Sequence, residues 1–185
     1  MALLFLFFAL PVVASYFTYY VIKPQGRTNY GELIDPQRNV NSLTVQSNQS
    51  TPSELGKIAA LQKKWMLLTI GPSKCDEACS KRMFFVRQVR KTTGKDMDRV
   101  ERVWLVTDEG APDPKLMAEH EGLQLLRAKA KDLETLFPAA AGGTTSDHVY
   151  LVDPLGNLMM RFPKEMDASK MKKDLIKLLK ASRIG

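Results

Sequence analysis

The sequence predicts an α/β domain built on a mixed sheet with helices on both faces, preceded by one N-terminal transmembrane helix. Three observations predict it. Segments of strand and helix period alternate from residue 64 onward, the turn Asp153-Pro154-Leu155-Gly156-Asn157 signals a closing hairpin, and residues 3–22 form an uncharged apolar run. At 185 residues, 44% hydrophobic and 25% charged, the chain can bury one core of ordinary size.

The apolar run, LLFLFFALPVVASYFTYYVI, has the length that crosses a hydrocarbon core, and Pro11 would kink it without breaking it. A cleaved secretory signal would need a basic start and a clear small-residue cleavage site, whereas this start lacks Lys and Arg and offers only a weak site around Ala14. A core helix would be apolar along one stripe, and this run is apolar all round. Orientation receives two opposed signals. Lys23 and Arg27 follow the span, which by the positive-inside rule places the C-terminal domain in the cytoplasm. The sparse, closely spaced cysteines favour an oxidising compartment outside the cytoplasm, and on that chemistry we expect a single-pass protein with its domain on that side. The expected organisation is an anchor over residues 1–22, a polar tether over 23–53 in which GELI at 31–34 is a candidate strand, and a folded domain over 54–185.

Within that domain the expected strands are 64–70, 102–107, 123–126, 148–152 and 158–162, and the expected helices are 79–90, 113–121, 131–137 and 167–182. Helical crossovers between the early strands imply parallel pairing, and the hairpin supplies an antiparallel part. That order, β-α-β-α-β-α-β-β-α, is the thioredoxin-like plan. The formal charge of +7 does not read as a nucleic-acid surface, because Lys and Arg are dispersed and the densest cluster, residues 170–180, is the polar side of an amphipathic helix. An anionic membrane surface or an acidic partner suits that charge better.

The segment TIGPSKCDEACSKRMFF carries the chemistry. With Cys75 opening the first helical turn, Cys79 lies four positions on and shares its face, so the two can bridge or act together. A helix N-terminus favours a thiolate at Cys75, with Lys74 and Lys81 helping and Asp76 and Glu77 opposing. A plain structural bridge closing so short a loop would constrain the unfolded chain only slightly. His148 opens a predicted strand after a Gly- and Thr-rich loop, at the end of the sheet where it would reach the cysteines; the alternative is a strand-end histidine bonded to a carbonyl. Two thiolates and an imidazole form a soft set suited to copper, whereas zinc would want a fourth ligand. His120 is expected to be a solvated capping residue, one of Met159 and Met160 to lie in the core, and Trp65 and Trp104 to pack in strands. Asp108, Glu109 and Asp113 follow the second strand, either as a solvated turn or as groups that tune the site.

CDEAC resembles the Cys-x-x-x-Cys of the Sco (synthesis of cytochrome oxidase) copper proteins. VTDEGAPDPKLMAEH is similar to their Val-Asp-Pro-x-x-Asp-Thr segment, and SDHVYLVDPLGNLMMRF resembles their His-bearing strand and Asp-Pro-x-Gly-Asn hairpin. The resemblance covers about residues 60–182, and it departs at Asp76, where the family has Pro, and at Asp108-Glu109, where it has Asp-Pro. It implies a domain on the periplasmic side of an inner membrane, with copper held by Cys75, Cys79 and His148. It also implies a partner in a cytochrome c oxidase subunit or another copper or thiol assembly protein. A membrane-anchored thiol–disulfide oxidoreductase that needs no metal is the competing expectation. No Gly-rich phosphate loop follows a strand, so nucleotide binding is not expected.

Overall fold

The computed structural model describes residues 2–22, 28–47 and 63–184. Lys23, Arg27 and the domain boundary expected near residue 54 lie outside the described residues. Five α-helices and seven strands are described: α1 (Ala2–Phe17), β1 (Glu32–Asn39), β2 (Gln46–Ser47), β3 (Trp65–Gly71), α2 (Glu77–Lys91), β4 (Val100–Val106), α3 (Pro114–Glu119), β5 (Leu123–Arg127), α4 (Ala130–Leu136), β6 (Val149–Val152), β7 (Asn157–Phe162) and α5 (Ala168–Ala181). Every element expected after residue 63 is present, with ends shifted by a few residues at most.

The single span expected over 3–22 is divided. The α-helical part ends at Phe17 after 16 residues and continues as a π-helical turn, Thr18–Ile22. The Thr18 hydroxyl donates to the Ala14 carbonyl at 2.7 Å, competing with the backbone ladder where the register changes. No helix among the described residues is long and apolar enough to cross a membrane. The large apolar side chains described between Phe7 and Ile22 are exposed.

The sheet runs β1-β7-β6-β3-β4-β5-β2. β3, β4 and β5 are parallel, while β6, β7, β1 and β2 pair antiparallel with their neighbours. The segment read as a tether thus contributes both sheet edges. GELI, the candidate strand of that segment, supplies the start of β1, which runs on through Pro36 because an edge strand tolerates a proline that a central one would not. The β1 register shifts between Leu33 and Arg38, around that proline.

Alternation along the strands sorts two apolar layers. Met66, Leu68 and Ile70 of β3, Val103 and Leu105 of β4, and Tyr150 and Val152 of β6 join Leu133 and Phe137 on one face, closed by Val40, Leu43 and Val45. Trp65 and Leu67, with Val149 and Leu151, meet Val86 and Val89 of α2 and Met171, Leu175 and Leu179 of α5 on the other. Trp104 and Val106 continue that second layer toward Cys79 and Met83. The β6–β7 turn closes on Asp153, whose Oδ1 accepts from the Leu155 and Asn157 amides. Gly156 completes it at φ +87°, and a side chain there would also collide with Asn41.

Candidate functional site

The chain leaves β3 through Gly71-Pro72-Ser73-Lys74 and enters α2 with Asp76 as its N-cap. Cys75 therefore stands two residues before the first helical residue and does not open the first turn as expected, while Cys79 lies in that turn. They form a disulfide with 5.3 Å between α-carbons. The two sulfurs differ in access: Cys79 is 8% exposed and packs with Met83, Trp104, Val106 and Leu123, whereas Cys75 is half-buried at the rim. The Ser80 hydroxyl donates to Cys75 Sγ at 3.7 Å. Asp76 Oδ1 accepts from the Cys79 amide at 2.7 Å, so one first-turn N–H is engaged by a carboxylate and not held for a sulfur. Lys81 Nζ lies 6.0 Å from the centre of the Phe85 ring.

The loop before Cys75 is held from a neighbouring strand end. Both oxygens of Asp108 accept from the Ser73 amide at 3.1 Å, and Oδ1 also accepts from the Gly110 amide at 3.1 Å. The Ser73 hydrogen bonds hold this carboxyl below its ordinary range, with those of Gly110 and the nearby Arg127 adding to them. Arg127 of β5 in turn donates to the carbonyls of Asp108 and Gly110. A side chain at Gly110 would collide with Ser73 Oγ, so the two loops touch. Asp108 is thus a positioning residue for the cysteine loop. Its signal in the sequence was its place at the end of β4, beside the end of β3. Glu109 is exposed, and Asp113 caps α3 by accepting from the Lys115 amide.

His148 is 3% exposed and precedes β6 on the parity of Tyr150, against whose ring it packs edge-on at 6.1 Å. That parity faces α4, whereas Cys79 packs on the α2 face. Its Nδ1 pairs with the Phe162 carbonyl at 2.9 Å and its Nε2 accepts from the Ala140 amide at 3.1 Å, which assigns a neutral ring protonated at Nδ1. Burial lowers its pKa, partly offset by the Phe162 hydrogen bond. Burial lowers the pKa of Arg82 on α2, partly offset by the carboxylates of Asp76 and Asp147. Asp147 pairs with Lys164 at 2.8 Å and accepts from Thr144, and these contacts hold its carboxyl far below the ordinary range.

In this disulfide form, Cys75, Cys79 and His148 present no open set of copper ligands. The imidazole has no nitrogen lone pair to spare, the sulfurs are joined to each other, and among the described residues no three His, Cys, Asp or Glu side chains are grouped to hold a metal. His120 caps α3 as expected but is 3% exposed and not solvated. Arg87 and Arg102 donate to the carbonyls of its neighbours Glu119 and Glu121, and burial lowers its pKa, with the two guanidinium charges adding to it. Met160 is in the core and Met159 is partly buried; both tryptophans are core residues.

Residues 65–182 match the family described as "Transmembrane-like, thioredoxin-like, C-terminal domain". The chain belongs to that family. No curated protein matches it. Among solved structures it is similar to yeast Sco1 with copper bound (TM-score 0.60, 13% identity, 85% of this chain and 96% of that one). It is also similar to apo Sco1 from Thermus thermophilus (0.59, 16%, 85% and 98%) and to copper-bound ScoI from Bradyrhizobium japonicum (0.53, 18%, 80% and 98%). The likeness to Sco proteins seen in the sequence motifs therefore extends to the whole fold. At such identities it speaks to fold alone.

Proposed function

We propose that this chain is a membrane-anchored thiol–disulfide protein of Sco type that reduces a disulfide on a partner during assembly of a respiratory copper centre. The observation that carries the reading is the Cys75–Cys79 bridge at the start of α2, with one sulfur at the rim and one in the core. In the reduced chain the Cys75 thiolate attacks one sulfur of the partner's disulfide, forming a mixed disulfide and releasing the partner's other sulfur as a thiolate. Cys79 then attacks Cys75 Sγ, the second partner thiolate leaves, and the internal bridge is restored. An external dithiol must reduce it again. Residues 3–22, uncharged throughout, are the proposed anchor, with the domain on the periplasmic side of an inner membrane, where a dithiol can cycle without the cytoplasmic reductants.

A second reading is copper handling, and one observation favours it: the similar yeast and Bradyrhizobium structures are described with copper bound. For this chain it would require His148 to give up the Ala140 amide. The two readings separate in one experiment, anaerobic Cu(I) titration of the reduced chain and of His148→Ala, run beside disulfide-reduction assays of both. The thiol reading expects reduction activity that survives His148→Ala and disappears in Cys75→Ser. One tightly held Cu(I) per chain, weakened by His148→Ala and accompanied by no disulfide turnover, would overturn it in favour of copper.

A further inference from the structure

The outer face of α5 carries Lys170, Lys173, Lys177 and Lys180, all exposed and spaced by three, four and three residues, so they form one stripe about 15 Å long. No carboxylate interrupts it. The one acidic residue of α5, Asp174, is 2% exposed and turns inward, where Oδ2 accepts from the Tyr30 and Gly31 amides at 2.7 and 2.8 Å. Asp167 reaches Lys170 only at 3.8 Å. Beside the stripe is a cleft of about 260 Å³ lined by Thr28, Asn29, Tyr30, Lys170, Lys173, Asp174 and Lys177. Lys170 Nζ stands 5.5 Å from the centre of the Tyr30 ring, and Lys177 Nζ donates to the Thr28 carbonyl at 3.3 Å. The ammonium groups thus cluster around the first described residues that follow the apolar helix.

That position limits where the stripe can be. Ile22 ends the apolar segment and Thr28 already touches α5. Six residue steps separate them, a reach of about 20 Å even when fully extended. Whatever surface the apolar segment enters, the lysine stripe is held within that distance of it. A row of like charges repels itself and is stabilised by a plane of opposite charge, and an anionic leaflet supplies one along the length of the helix.

We propose that the Lys170/Lys173/Lys177 face of α5 is a docking surface for the anionic phosphate headgroups of the membrane, laying the domain on the bilayer with the α2–α5 side toward the lipid. This rests on the anchor reading above for its geometry. It adds a specific orientation and a lipid class.

The test uses the full chain mixed with vesicles of phosphatidylcholine, or of phosphatidylcholine and phosphatidylglycerol in equal parts. Flotation reports the anchor, and the acetylation rate of each lysine, read by mass spectrometry, reports the surface. The proposal expects Lys170, Lys173 and Lys177 to be acetylated several-fold more slowly on the anionic vesicles, with Lys115 and Lys131, exposed elsewhere, unchanged. High salt should abolish the difference. Partition of the chain onto anionic vesicles should fall about fivefold for each of Lys170→Gln, Lys173→Gln and Lys177→Gln, with thermal unfolding unchanged. Flotation on both vesicles with equal acetylation overturns the docking surface and leaves the anchor. Failure to float on phosphatidylcholine, with salt-sensitive protection on anionic vesicles, supports the surface and removes the anchor. Equal protection by inorganic phosphate without anionic lipid overturns the assignment to headgroups.

Discussion

Two sulfurs joined to each other are chemically equivalent only on paper. Cys75 stands at the rim with the Ser80 hydroxyl on its sulfur, while Cys79 is wedged among Met83, Trp104 and Leu123. After reduction, iodoacetamide is expected to modify Cys75 at least ~10-fold faster than Cys79, as peptide mapping of a short reaction would show; equal rates would contradict the assignment of attacking and resolving sulfurs. Asp108 belongs to the same scale. Its carboxylate collects the amides of Ser73 and Gly110, so Asp108→Ala is expected to raise amide hydrogen exchange at both positions about tenfold and to narrow the difference between the two cysteines. Exchange in β6 and β7 should stay as it was.

Among the elements, α5 and the start of β1 are joined by one buried side chain. Asp174→Ala would leave the Tyr30 and Gly31 amides without their acceptor, and urea denaturation should record a loss of about 3 kcal/mol. Asp174→Asn, which keeps an acceptor oxygen, should recover part of it. The apolar side of α5 was legible from Met171, Leu175, Leu178 and Leu179 at helical intervals, and the strands β3, β4 and β6 from continuous apolar runs. β1 was legible only at its start, where GELI reads as a candidate strand; the rest is held by pairing with β7 and by Asp174 at its entry, both distant in sequence. β2, two residues long, has no local signal to read.

For the molecule as a whole, titration sets a window of stability. Burial lowers the pKa of His148 and His120, so their unfolded forms take up protons first as pH falls below 6.5, and the folded state loses stability there. Asp147 and Asp108, both depressed by hydrogen bonds, add a further loss as pH drops below 3.8. Tyr150, buried with its hydroxyl donating to the Pro138 carbonyl, has a raised pKa, so stability falls again above pH 10, where only the unfolded chain ionises readily. Thermal unfolding between pH 3 and 11 is expected to give a plateau from about 7 to 10 with both flanks descending. A midpoint still rising as pH falls from 7 to 5 would show that the two histidines are not held neutral.

Local pattern by itself determined the order of strands and helices after residue 63, the location of the cysteine pair at a strand-to-helix junction and the closing hairpin, since each depends on neighbours within a few positions. The direction in which His148 points was decided only by the tertiary structure. One residue of strand parity sends a side chain to the opposite face, and here one ring nitrogen meets the Ala140 amide and the other the Phe162 carbonyl. The holding of the cysteine loop by Asp108 and the pairing of residues 32–47 at the sheet edges were decided there too, because both join segments that are distant along the chain.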